Sequence, residues 1–236
     1  MQALPSLRLT VNLNAVLRFR RSPAQAAAAV VGDDVAHHVV DPEDLLGIDP
    51  LRATALADAI AVIAGREQEM WVLALPQPGA PGALRGPVGL NRAALEAGEV
   101  VLAGSGGIAL VPHAVGRGVQ WRVHPAERPF TPLTSYDAER ALSETVISAA
   151  ATLARLDVAA GSRPASDPTA DLAPGYSSRQ RLAADRAARL LLACETALSS
   201  DGAAVSAYEA SVRAVELRRL HRAAADALCA AASWMG

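Results

Sequence analysis

The chain reads as an α+β protein. It has a mixed, largely antiparallel sheet with short helices in its N-terminal half, followed by a three-helix C-terminal unit with a long αα-hairpin. Three observations predict this class. Short apolar runs bounded by glycine and proline recur through the first 130 residues. Between residues 99 and 124 such runs follow one another across "AGSGG" and "VGRG", the pattern of an antiparallel meander. From Thr134 onward the only periodicity is helical.

The elements follow in order. "LRLTVNLNAVLRF" places Leu7, Leu9, Val11 and Leu13 at alternate positions, the spacing of a half-buried strand. "RSPAQAAAAVVG" offers Ser22 as N-cap, Pro23 at the first helical position and Gly32 past the end, so a short helix is expected. "VAHHVV" is a compact β-branched run and reads as a strand. "DPLRATALADAIAVIAG" reads as a second helix, with Leu51, Ala55, Leu56, Ala59, Ile60 and Ile63 on one face and Gly65 as its stop. "EMWVLALP" is a buried strand ended by Pro76, and "QPGAPGALRGPVG" an ordered surface loop. A short helix at "NRAALEAG" leads into "EVVLAGSGGIALVP", two strands about a glycine turn, and "VQWRVHP" adds one more. About six strands and three helices are thus expected in a mixed unit over residues 1–130.

The helical unit is expected over residues 134–236. "TSYDAERALSETVISAAATLARL" opens on a capping-box pattern, Thr134 to Asp137, and carries a stripe of Ala138, Leu142, Thr145, Val146, Ala149, Leu153 and Leu156. "GSRPASDPTADLAPG", residues 161–175, has three prolines and few large apolar groups, and reads as a connection inside the unit. A helix from Ser177 is expected to bury Leu182, Ala183, Ala187, Leu190, Leu191, Cys194 and Leu198. "SSDG" turns the chain into a last helix with Val205, Tyr208, Val212, Val215, Leu217, Leu220, Ala224 and Leu228 inward.

Composition narrows the chemistry. Hydrophobic residues make up 51% of the 236 and aromatics only 3%, so much of the apolar content is alanine and the helices must pack closely to bury enough area. All 22 basic residues are arginine. With no lysine, a Walker-A loop, a Schiff-base enzyme and a kinase-type strand lysine are excluded. The net charge is −2. Residues 176–236 hold 8 arginines against 6 acids, a mild +2 that argues against nucleic-acid binding. Cys194 and Cys229 lack CxxC spacing and suit buried thiols in a reducing compartment. The opening "MQALPSLRLT" has no basic segment followed by an apolar one, so no signal peptide is expected. The uncharged run Val100 to Gly116 contains glycines and a proline and suits a hairpin, not a membrane span. The cytoplasm is the expected compartment, with no membrane partner.

Five histidines are the scarce chemical resource. His37 and His38 are adjacent, and on a strand their side chains point to opposite faces, so they do not share a metal ion. Asp41, Glu43 and Asp44 are expected to cap the following turn. If Gly116 and Arg117 form a hairpin tip, His113 lies opposite residue 120 and not His124. "AGSGG" has neither a helix after it nor the G-x-S-x-G spacing of a nucleophile elbow, so it reads as a plain turn. Arg218, Arg219 and Arg222, with His221 among them, form a face that would suit an acidic protein partner. Trp234, close to the C-terminus, either docks on its own chain or anchors a neighbouring subunit.

The leading expectation is a non-catalytic interaction or assembly module that self-associates through its amphipathic helices. The alternative is an enzyme or small-ligand or metal-binding protein with a His/Asp pocket between sheet and helices, drawing on His37, His38, His113 and His124 with Asp33, Asp34 or Asp41. No cofactor and no bound metal are expected.

Overall fold

A computed structural model describes residues 4–66, 69–156, 168–199 and 206–234. Among these the protein is α+β. The first elements are helices α1 (Pro5–Leu17) and α2 (Pro23–Val31), strands β1 (His37–Val40) and β2 (Thr54–Ala55), helix α3 (Leu56–Ala64) and strand β3 (Trp71–Ala74). Helix α4 (Val88–Ala97) then precedes strands β4 (Val100–Ala103), β5 (Gly107–Val115) and β6 (Gly118–Ala126). The last three helices are α5 (Ser135–Leu156), α6 (Ser178–Leu198) and α7 (Ala207–Ser233).

The six strands form one sheet in the order β2-β1-β6-β5-β4-β3. Strand β1 runs parallel to β6, and the other four pairings are antiparallel. One compact unit comprises Gln2–Pro132 together with Asp171–Ser177 and Ala232–Gly236. Helices α1, α2 and α3 cover one face of its sheet, burying Leu9, Leu13, Ile60 and Ile63 against Trp71, Leu110 and Trp121. Helix α4 covers part of the other face, where Leu90 and Ala94 meet Val72, Leu102 and Val111. His38, Gln120 and Arg122 lie on that second face and keep contact with water, as one side of an antiparallel sheet commonly does.

Three sequence expectations change here. Residues 7–13 belong to helix α1, with Pro5 at its first turn, and the sixth strand is the short β2. The alternation misleads because the intervening Ser6, Thr10, Asn12 and Asn14 are buried as well, so the segment has no wet side for a period of two to mark. Asn14 shows why a polar residue sits there. β3 is an edge strand, and the Asn14 amide bonds both the N–H (2.7 Å) and the C=O (3.0 Å) of Trp71. The Leu73 N–H donates to Ser233 Oγ at 3.1 Å. The edge of a wholly buried strand is thereby satisfied without another strand. The second helix starts at Leu56 and not at residue 50, because Thr54 and Ala55 pair with β1 instead. In the expected connection, Leu172 and Ala173 are buried and, with the adjacent Tyr176, belong to this first unit, while residues 161–167 lie outside the described residues.

The second unit comprises Leu133–Ala170 and Ser178–Ala231. Thr134 caps α5, accepting the Asp137 N–H at 3.1 Å. The buried residues of α6 and α7 are mostly alanine, among them Ala184, Ala187 and Ala188 of α6, and Ala224, Ala225, Ala227 and Ala231 of α7. Leu142, Leu191, Leu192, Leu217 and Leu228 are the larger apolar residues buried with them. Leu182, Tyr208 and Val215, expected inside, are 69%, 72% and 55% exposed. Val205 lies outside the described residues. Arg179 pairs with Glu139 at 3.0 Å, and the buried Arg213 donates to the Ala197 carbonyl at 2.8 Å. None of the described helices is long and apolar enough to cross a membrane.

Candidate functional site

The first unit contains a cavity of about 750 Å³ at the turn end of the β5–β6 hairpin, bounded by the start of α1 and the ends of α2 and α4. Its polar lining is Arg8, Asp33, Asp34, Glu96, Glu99, His113 and Arg117.

Glu99 is the chemically unusual group. Gly98 ends α4 in a left-handed conformation (φ 75°), which reverses the chain at once into β4 and leaves Glu99 at the junction. From there its Oε2 accepts the backbone N–H of Ser6 at 2.7 Å. Helix α1 has no side-chain cap of its own, since Leu4 occupies that position, so a carboxyl 93 residues away serves its N-terminus. Burial pushes the Glu99 carboxyl up to about 7, against the lowering effect of its Ser6 hydrogen bonds. Near neutral pH it therefore exchanges a proton at the wall of a cavity.

Asp34 is the second polar anchor. It lies in the turn between α2 and β1, and its Oδ2 is 2.9 Å from His37 Nε2. Trp121 Nε1 donates to the other ring nitrogen, Nδ1, at 3.2 Å. An indole N–H only donates, so Nδ1 is the acceptor and the His37 proton sits on Nε2, directed at Asp34. The Arg8 guanidinium lies 3.9 Å from the same carboxylate oxygen. Buried His37 thus has both nitrogens engaged and no lone pair for a metal or a substrate, and its effect on the cavity is to orient Asp34.

The other sequence-selected residues fall in different places. His38 is exposed on the opposite side of β1, in a shallow hollow with Val35, Ala53 and Gln120. His113 lines the cavity and lies opposite Gln120 in the sheet register, which also places His38 beyond Gln120 on the same row. His124 lies further along β6, opposite Ala109. Burial first and Arg122 next lower its pKa, Glu43 acts in the other direction, and Nε2 has no hydrogen-bond partner among the described residues. Asp41 is fully buried and caps a turn, accepting the N–H groups of Leu45 (2.9 Å) and Leu46 (2.7 Å). The four histidines therefore do not converge, and among the described residues no group of three or more His, Cys, Asp or Glu is placed to hold a metal ion.

Arg218, Arg219 and Arg222 are exposed on α7 in the helical unit; Arg219 reaches Ser148 Oγ at 3.3 Å and Glu216 at 3.9 Å. Trp234 is half-buried in the first unit, where it lines a smaller cavity of about 320 Å³ with Asn14, Phe130 and Ser233. Glu99 escaped the sequence analysis altogether. Its only local signal is a glycine helix stop followed by an acid, and its partner could be found only by knowing that residues 5–17 are a helix.

Residues 6–136 match the family described as Rv1486c-like protein, N-terminal domain, and residues 136–229 match that described as Rv1486c-like protein, C-terminal domain. No curated protein and no solved structure matches the chain.

Proposed function

The chain belongs to the Rv1486c-like family, and from that premise we propose that its N-terminal unit binds a small polar ligand carrying an amino or other cationic group. The observation that carries this reading is the buried Glu99 carboxyl in the wall of a cavity of about 750 Å³, a size ordinary for small-molecule sites. Asp33, Asp34, Glu96 and Glu99 outnumber Arg8 and Arg117 in the lining, so the field inside favours positive charge. Asp34, held by His37 and Arg8, offers a fixed carboxylate to a cationic head. Glu99 offers a hydrogen-bond donor when protonated and an acceptor when ionised. Among the described residues the lining contains no serine, cysteine, threonine or lysine, so the chemistry within reach is proton exchange and recognition. A protein-detected NMR titration with a panel of primary amines and guanidines tests this. Saturable shifts of Glu99, Asp34 and His113 amides, lost in Asp34→Asn, are expected; shifts that never saturate, or that gather elsewhere, contradict it.

A second reading concerns the helical unit: self-association through α7, with an acidic protein as the other partner its arginines suit. Tyr208, Ser211, Val215, Arg218 and Arg222 are exposed at helical spacings of three and four, an outward stripe that begins apolar and ends basic. Light scattering should find a dimer or larger that Tyr208→Ser with Val215→Ser reduces to a monomer; a monomeric wild type at micromolar concentration removes self-association. We read the compartment as the cytoplasm, which is supported by neither Cys194 nor Cys229 being in a disulfide.

A further inference from the structure

Helix α1 ends in a Schellman motif: the Arg20 N–H bonds the Ala15 carbonyl at 2.8 Å, and the Phe19 N–H bonds that of Val16 at 3.0 Å. The residue at the left-handed position of this motif is ordinarily glycine. Here it is Phe19, with φ 54°, a conformation that a bulky side chain adopts only at a cost. The same residue is 95% exposed. A large aromatic is thus placed twice against its own preferences, in its backbone and in its solvation. Outliers of this kind gather at sites where another molecule supplies the compensation.

The surroundings indicate what that molecule is. Beside Phe19 runs a groove of about 510 Å³ whose apolar wall is Val16, Leu17, Pro23 and Ala64. Among the described residues no acidic one lines it, while Arg20 and Arg21 do. Arg21 is held in place by the Asn12 side chain at 2.6 Å. We infer that this corner between α1 and α2 docks an acidic segment of a partner protein, with Phe19 as the anchor, the groove taking an apolar side chain and the arginines meeting carboxylates. The groove favours a protein over a bilayer, since a lipid surface presents no side chain to fill it. Arginine forks pair with carboxylates in a fixed geometry, and an exposed aromatic beside them is a common composition for an interface centre.

The test uses the full chain and a phage-displayed random peptide library as the probe. Selection should enrich peptides in which Asp and Glu flank an apolar residue, with affinity falling at least about tenfold in Phe19→Gly and in Arg20→Glu. Glycine relieves the backbone strain, so Phe19→Gly should also raise Tm by about 2–4 °C. No enrichment, enrichment without acidic residues, or equal binding by Phe19→Gly would overturn the inference. A lower Tm in Phe19→Gly would overturn it too, by making the ring part of the core. Phe19-dependent binding to phosphatidylserine–phosphatidylcholine vesicles, or to oligo-dT, in place of the peptides would assign the surface to a membrane or to a nucleic acid instead.

Discussion

Glu99 links stability to pH. Its carboxyl is raised from 4.5 to about 7 by burial, so between those values the folded state holds a proton that the unfolded chain releases. Stability should therefore fall as pH rises through this window, by up to about 3 kcal/mol, and level off above 7. Glu99→Gln keeps an oxygen acceptor for the Ser6 N–H and removes the titration. Urea unfolding of this variant is expected to show a flat profile from pH 4.5 to 7; a slope equal to that of the wild type would mean that other groups carry the dependence. His37 acts differently. Both of its nitrogens are engaged, and its contribution is the fixed position of Asp34. The opposite directions of His37 and His38 are legible in "VAHHVV", because an extended backbone imposes them. The His37–Asp34 contact was less so, since Asp34 stands in a turn whose geometry a strand pattern does not describe.

At the scale of elements, capped helices and glycine-bounded strands were the legible ones. Ser22 forms a capping box with Gln25 and Thr134 caps with Asp137, each a local interaction written within four residues. The β5–β6 register followed from placing Gly116 and Arg117 at the tip, and His113 pairs with Gln120 accordingly. The pattern of α1 misleads because a helix buried on nearly every side loses the polar face that reveals its period. In α6 and α7 the helices were evident and their inward faces were not. Alanine gives little contrast, so the pattern does not distinguish the buried Ala184, Ala187 and Ala188 from the exposed side that carries Leu182. The β4–β5 turn supplies a test of the glycines. Gly106 has φ 84°, and a Cβ there would lie 2.7 Å from the Arg128 backbone nitrogen. Gly106→Ala should cost about 2–3 kcal/mol. Gly116, at φ 58° with nothing near its Cβ position, should accept Asn with little change. Equal melting temperatures for the two variants would contradict the packing at Gly106.

For the whole molecule, the fold class and the helical character of the C-terminal part were readable from periodicity alone. The candidate site was readable only in fragments. Asp33, Asp34 and His113 stand out in the sequence, yet what joins them into a candidate site is the approach of Glu99 to the first turn of α1, a contact across 93 residues that no local pattern encodes. The absence of lysine removes whole classes of chemistry at once, and the cavity offers carboxyls, guanidinium groups and one imidazole. That chemistry recognises charge and exchanges protons. The most direct measurement is a crystal structure of the protein soaked with small amines and guanidines. It should show a cationic head beside Asp34 and within hydrogen-bonding reach of Glu99. A cavity closed by its own side chains, or amines bound only on other surfaces, would contradict a ligand site there.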